Sequence, residues 1–117
     1  DIAKLPIDLL WIIPDTMVSK PVIVARFLQS GIKNKIAVMG FTRSYASSGA
    51  LLAISCDYTD IGRQSGELAV RVLKGEKYSS LETTAPRVIN LYLNSIAAEI
   101  LGISFPGSII EKASEVF

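Results

Sequence analysis

The chain has 117 residues, half of them apolar and 20% charged, the size and composition of one ordinary globular domain or less. Twelve basic residues against eleven acidic ones leave a net charge of +1, too little field to hold nucleic-acid phosphates. With no histidine and a single cysteine, Cys56, the sequence excludes an internal disulfide, a zinc site of the usual thiolate and imidazole type, and Ser-His or Cys-His nucleophilic catalysis.

The longest apolar run, Ile7 to Pro14, is interrupted by Asp8 and is far shorter than the ~20 residues of a membrane helix. No basic, apolar, small-residue leader precedes it. The opening Asp1-Ile2-Ala3-Lys4-Leu5-Pro6 reads as the tail of a connection into a strand, so the chain is expected to be a piece of something larger.

Ile7 to Ile13, bounded by Pro6 and Pro14, has the pattern of a strand buried on both faces. After Asp15-Thr16 the spacing becomes helical at Val18, Val22, Ala25 and Leu28 or Gln29, with Ser19 as a cap, Pro21 in the first turn and Gly31 as the stop. Ile36 to Phe41 is a second strand, completing a β-α-β unit of the usual right-handed, parallel kind. Thr42 to Ser48, rich in Ser and Thr, reads as an exposed loop, and Leu51 to Ser55 as a third strand.

Thr59 is the expected N-cap of a longer helix, with Asp60 in its first turn, an apolar stripe at Ile61, Leu68, Ala69, Val72 and Leu73, and an end at Lys74-Gly75. A linker, Glu76 to Pro86, leads to a fourth strand, Val88 to Leu93. Asn94 caps a short helix, Ser95 to Leu101, closed by Gly102, and Pro106 opens an amphipathic piece with Ile109, Ile110, Ala113 and Val116 on its stripe. Three to four strands with helices between them predict an α/β fold with a mostly parallel sheet, forming half of a doubly wound domain.

In open α/β sheets ligands sit outside the carboxyl ends of the strands, so the polar residues there are the candidates for a site. Asp15, past the first strand, offers a carboxylate for a ligand ammonium or hydroxyl, or else serves as a turn residue or cap; Thr16 adds a hydroxyl beside it. Phe41 can stack on an aromatic or apolar solute with Thr42 next to it, or it caps the sheet core while Thr42 begins the loop. Arg43 and Ser44 have the chemistry to meet a carboxylate, although a loop arginine is more often solvated, and Gly49 is a backbone device.

Asp57 follows the third strand and either faces a ligand or supports the start of the next helix, with Cys56 and Tyr58 packing beside it. Asp15 and Asp57 are compatible with an acid/base pair, but nothing fixes their separation and no further catalytic group is visible. The spacing around Gly62 and Gly66 matches neither a phosphate loop nor a dinucleotide fingerprint.

Several features resemble a known family in their order along the chain: Asp15 after the first strand, Gly40-Phe41 closing the second, Ser48 to Tyr58, Ile61-Gly62-Arg63-Gln64, Val72 to Glu76, Asn94 with Ala98, and Leu101-Gly102-Ile103 with Phe105-Pro106. Together they are similar to the C-terminal part of ABC-transporter substrate-binding proteins with a type I periplasmic-binding fold, in the group that includes tryptophan and aromatic amino acid binders. The resemblance runs from about Ile7 to the C-terminus. It implies a three-layer α-β-α partial lobe over residues 1–117, belonging to a bilobal protein that closes on a solute, with Asp15, Thr16, Phe41, Thr42 and Asp57 as ligand-binding residues.

The same resemblance implies no cofactor, no metal and no enzymatic chemistry. Its partners would be a small-molecule solute and an ABC permease, with no nucleic acid, and its location periplasmic or extracellular, membrane-associated as a lipoprotein or secreted. An incomplete lobe leaves a sheet edge open, from which a homodimer is expected. The alternative is a ligand-sensing domain of a signalling receptor or transcription regulator, which would use the same fold and cleft. A response-regulator receiver needs an acidic cluster near its start, where this chain has only Asp1 and Asp8.

Overall fold

A computed structural model describes residues 6–117, so the expected lead-in over residues 1–5 lies outside the described residues. In chain order the elements are β1 (Leu9–Trp11), α1 (Pro21–Lys33), β2 (Ala37–Gly40), α2 (Arg43–Ser47), β3 (Leu52–Cys56), α3 (Tyr58–Leu73), a 3-10 turn at Tyr78–Ser80, β4 (Ile89–Leu93), α4 (Ser95–Leu101), α5 (Gly107–Ile110) and β5 (Glu115–Val116). The strands form one sheet in the order β1-β2-β3-β4-β5, with β1–β2, β2–β3 and β4–β5 parallel. The expected α/β fold is therefore present, with five strands among the described residues rather than three or four. The chain divides into two compact units, one built from the residues up to Ser55 together with Leu91–Phe117, the other from Cys56–Asn90.

In the first unit β2 is covered on both faces, as its apolar run requires. Val38 joins Ile12, Leu28, Tyr45, Ala46, Ala50 and Ala53 in one cluster, while Ala37 joins Leu51 and Ala98 in another. Leu93 is fully buried. β1 departs from the expectation of a strand buried on both faces. Ile12 is 4% exposed, but Trp11 is 61% and Ile13 57% exposed. Leu10 and Ile12 pack on the core whereas Leu9, Trp11 and Ile13 do not, the alternation of a strand covered on one face.

α1 starts at Pro21, whose fixed φ suits the first turn, but Ser19 is not its cap: the Ser19 hydroxyl donates to the Asp15 carbonyl at 2.6 Å. Of the stripe read at Val18, Val22, Ala25 and Leu28 or Gln29, Val18 and Leu28 pack on the core while Val22 is 65% exposed and Ala25 is exposed, and Val24, Phe27 and Gly31 complete the buried face. Gly31 does not stop the helix. It lies buried in the last turns, where a Cβ would stand 2.6 Å from Val38 Cγ2 and 2.8 Å from the Ile36 carbonyl oxygen. Hydropathy does not flag a glycine as a contact residue, which is why the stripe omits it.

The expected loop at Thr42–Ser48 contains the short helix α2, with Tyr45 and Ala46 buried. The Tyr45 side chain lies over Gly40, where a Cβ would stand 2.2 Å from its own Cβ. Asn94 behaves as expected: its Oδ1 accepts from the Ala97 amide at 2.7 Å and caps α4, and Gly102 ends that helix at φ 72°. Val116, read as part of a helical stripe, instead pairs with Leu93 in β5.

The second unit is organised by α3. Its N-cap is Asp57 rather than Thr59, two residues earlier than expected, although both are good capping residues. Ile61 and Leu68 are partly buried, but Ala69 and Val72 are exposed and Leu73 is 85% exposed, so the expected stripe holds only at its start. Asp60 is buried and accepts from Arg63 Nη1 at 3.1 Å, Arg87 Nη2 at 3.0 Å and Arg87 Nε at 3.2 Å, while Arg87 also bonds to Glu67.

Two outcomes follow. Gly31→Ala places a methyl group where backbone and a β-branched side chain already stand, and is expected to cost about 1–3 kcal/mol in urea unfolding; a loss under about 0.5 kcal/mol would show that α1 slides off β2 freely. Hydrogen bonds from Arg87, helped by Arg63 and opposed by burial, hold the Asp60 carboxyl below its ordinary value. A folded-state value below the unfolded one contributes stability that is full above the unfolded value of ~3.9 and is lost as pH falls through the folded one. The urea midpoint of Asp60→Asn should thus lie below that of the parent at about pH 7, and the gap should narrow toward about pH 3; a constant gap would refute the linkage.

Candidate functional site

β1 and β2 are parallel and register Trp11 against Met39, so the segments leaving them, Ile12–Thr16 and Phe41–Thr42, share the C-terminal edge of the sheet in the first unit. This brings four of the five sequence-predicted residues to one edge. Asp15 is exposed and its Oδ1 accepts from the Met17 amide at 2.7 Å, an Asx turn that aims the carboxyl group. The Asp15 carbonyl also accepts from the Ser19 amide at 3.0 Å, pinning the turn ahead of α1. Thr16 is exposed within it.

Phe41 is half-buried against the core, with its ring 4.9 Å from that of Tyr45 and tilted by 44°, which is the core-capping one of the two roles that the sequence left open for it. Thr42 is the N-cap residue of α2. Its carbonyl accepts from the Tyr45 amide at 3.1 Å and its hydroxyl lies 2.8 Å from that of Ser44.

The fifth residue, Asp57, belongs to the second unit. Its Oδ1 accepts from the amides of Thr59 at 2.9 Å and Asp60 at 3.0 Å, the helix-supporting role that competed with ligand contact. Arg43 is not a free cation: its Nε and Nη2 hold both Glu115 oxygens at 2.6 Å, and its guanidinium lies 4.9 Å over the Phe117 ring. That hydrogen-bonded pair raises the Arg43 pKa and lowers that of Glu115. No spacing rule signals a partner 72 residues away.

Tyr45, absent from the sequence-predicted set, has a buried hydroxyl with no hydrogen bond of acceptable geometry; burial raises its pKa, and the nearby Ser19 hydroxyl offsets part of that. A cavity of about 650 Å³ between α1 and α2 is lined by Tyr45 and by none of the five predicted residues. The exposed carboxylate at Asp15, the hydroxyls at Thr16 and Thr42 and the half-buried Phe41 lie at the same sheet edge, and they supply no nucleophile with an adjacent base.

The sequence profile described as "ABC transporter substrate binding protein" matches residues 4–117. A tyrosine-binding protein of Clostridioides difficile (strain R20291) is 32% identical over 89 residues, which is 75% of this chain and 25% of that protein. Among solved structures, a conserved domain protein from Vibrio cholerae matches 99% of this chain with 27% identity and a TM-score of 0.71 over 38% of its own length. The ligand-free, open structure of a substrate binding protein with adhesive properties from Clostridium difficile matches 98% of this chain and 37% of its own, with 25% identity and a TM-score of 0.72.

The fold is also shared with an ABC domain in complex with L-Trp from Streptococcus pneumonia, at 23% identity, 96% coverage of this chain, 37% of that one and a TM-score of 0.68. The chain thus spans about a quarter of its curated relative and under two fifths of these structures. With a family profile matching nearly every residue and a relative of 32% identity over three quarters of its length, the chain belongs to the ABC transporter substrate-binding protein family.

Proposed function

We propose that this chain is part of a solute receptor that captures an aromatic amino acid in an interlobe cleft and delivers it to an ABC permease. The observation that carries the reading is the 32% identity to a tyrosine-binding protein, together with an exposed carboxylate, Asp15, held by its own turn at the C-terminal edge of a parallel sheet. The Asp15 carboxylate accepts charge-assisted hydrogen bonds from the ligand ammonium, Thr16 and Thr42 supply hydroxyls, and Phe41 meets the ligand ring. Asp57, in the second unit, is proposed as a ligand contact in its own right, through the carboxylate oxygen that the α3 cap does not use.

Binding and closure complete the mechanism. A ligand that touches two lobes only when they are closed shifts the population to the closed form, and no covalent step is needed. Family membership supports a periplasmic or extracellular setting, tethered as a lipoprotein or secreted. Among the described residues no helix is long and apolar enough to cross a membrane.

Calorimetric titration of the protein carrying this chain should show saturable binding of L-tyrosine or L-tryptophan and much weaker binding of L-leucine. Asp15→Asn keeps the acceptor for the Met17 amide but removes the charge, so it should weaken binding by about 10–100-fold, the value of a hydrogen bond to a charged group. Unchanged affinity in that variant removes Asp15 from the site, and silence toward every aromatic amino acid overturns the ligand reading.

A further inference from the structure

α1 and α2 each link parallel neighbouring strands, so both descend from the C-terminal edge of the sheet toward the opposite one. The cavity of about 650 Å³ between them is an open groove within the ~300–1,000 Å³ usual for small-molecule sites. Its wall on α1 is apolar, with Val24, Leu28 and Ile32 at intervals of four residues on one face.

Both ends of the groove are polar. At the lower end Lys33 and Gln29 on α1 and Ser48 after α2 line it as exposed groups, and among the described residues neither the Lys33 ammonium nor the Gln29 amide has a side-chain partner. At the upper end, Tyr45 is only 6% exposed and its hydroxyl is buried without a hydrogen bond, beside Ser19. A buried hydroxyl left unbonded is costly, and the cost is removed when a ligand supplies the missing partner.

We propose that this groove is a second small-molecule site, for an amphipathic carboxylate. The carboxylate pairs with Lys33, the apolar body lies along Val24, Leu28 and Ile32, and a hydroxyl at its far end displaces the Ser19 side chain to bond with Tyr45 Oη. An anion is favoured over a cation because the charged group free to meet it is an ammonium. The groove is lined by none of Asp15, Thr16, Phe41, Thr42 and Asp57, and it adjoins them through Ser19, which bonds to the Asp15 carbonyl, and Tyr45, which packs on Phe41.

Titration of the protein with octanoate, 8-hydroxyoctanoate and octylamine, followed by amide NMR, tests it. Saturable shifts confined to α1 and α2 are expected for the two carboxylates and none for octylamine at the same concentrations. Lys33→Glu should reverse that order. Ala25→Trp, an exposed position on the wall, should fill the groove and abolish the shifts while leaving L-tyrosine binding unchanged. The terminal hydroxyl should tighten binding about fivefold, the value of one ordinary hydrogen bond, and Tyr45→Phe should erase that difference. No saturable shifts, equal binding of octylamine, persistence of binding in Ala25→Trp, or a hydroxyl preference retained by Tyr45→Phe would each overturn the proposal.

Discussion

How closely α1 and α2 can lie on β2 governs the edge where ligand is proposed to bind. Both approaches use a position with no side chain. At Gly31 a Cβ would collide with Val38 and the Ile36 carbonyl; at Gly40 it would collide with Tyr45. The consequence at Gly40 is direct, because Tyr45 lies over it and in turn stacks on Phe41, so the absence of one Cβ sets the pose of the aromatic side chain at the strand end. Ala46, Ala50 and Ala53, each with no exposed surface, extend the same small-residue contact and allow a five-residue helix to dock where a longer side chain would hold it off.

The C-terminal residues secure α2 from its other side. Asn94 is buried and acts twice, capping α4 with its oxygen and donating from Nδ2 to the Ala46 carbonyl at 2.7 Å. β5 adds backbone bonds, Phe117 N to Leu93 O at 2.9 Å and Ser95 N to Phe117 O at 2.7 Å, and packs Phe117 on the core. The bidentate Arg43–Glu115 pair draws attention by its geometry, yet it is exposed, and pairs of that kind contribute only about 0–1 kcal/mol. Phe117 packing and the strand bonds are therefore the stronger attachment.

What was legible in the sequence followed from local chemistry. Asn94 and Gly102 bracket α4 because a capping amide and a left-handed C-terminal residue act within a few positions of themselves, and β2 and the β-α-β unit showed in their hydropathy. What was hidden depends on partners distant in sequence. The two-residue β5 exists only because Glu115 meets Tyr92; Tyr45 is buried only because Gly40 leaves room; and Asp60 joins Arg87 27 residues on. At the candidate site, chain order sufficed to put Asp15 and Phe41 at strand ends, since parallel strands fix that, but the Asx turn at Asp15 and the cap made by Asp57 are hydrogen-bond choices between equally suitable side chains.

β1 carries the proposed ligand carboxylate on the least secured strand of the first unit. Among the described residues it pairs with β2 alone and stands at the end of the sheet, with Leu10 and Ile12 packed inward and Leu9, Trp11 and Ile13 exposed. An edge strand with free backbone groups and exposed apolar side chains invites a further strand. The relatives are about two and a half to three times the length of this chain. Binding geometry tolerates errors of only ~0.5 Å, so the affinity that Asp15 contributes depends on how firmly β1 is held. Under the proposed role of Asp15, pairing along the β1 edge and ligand capture are coupled, because the turn that presents the carboxylate follows that strand.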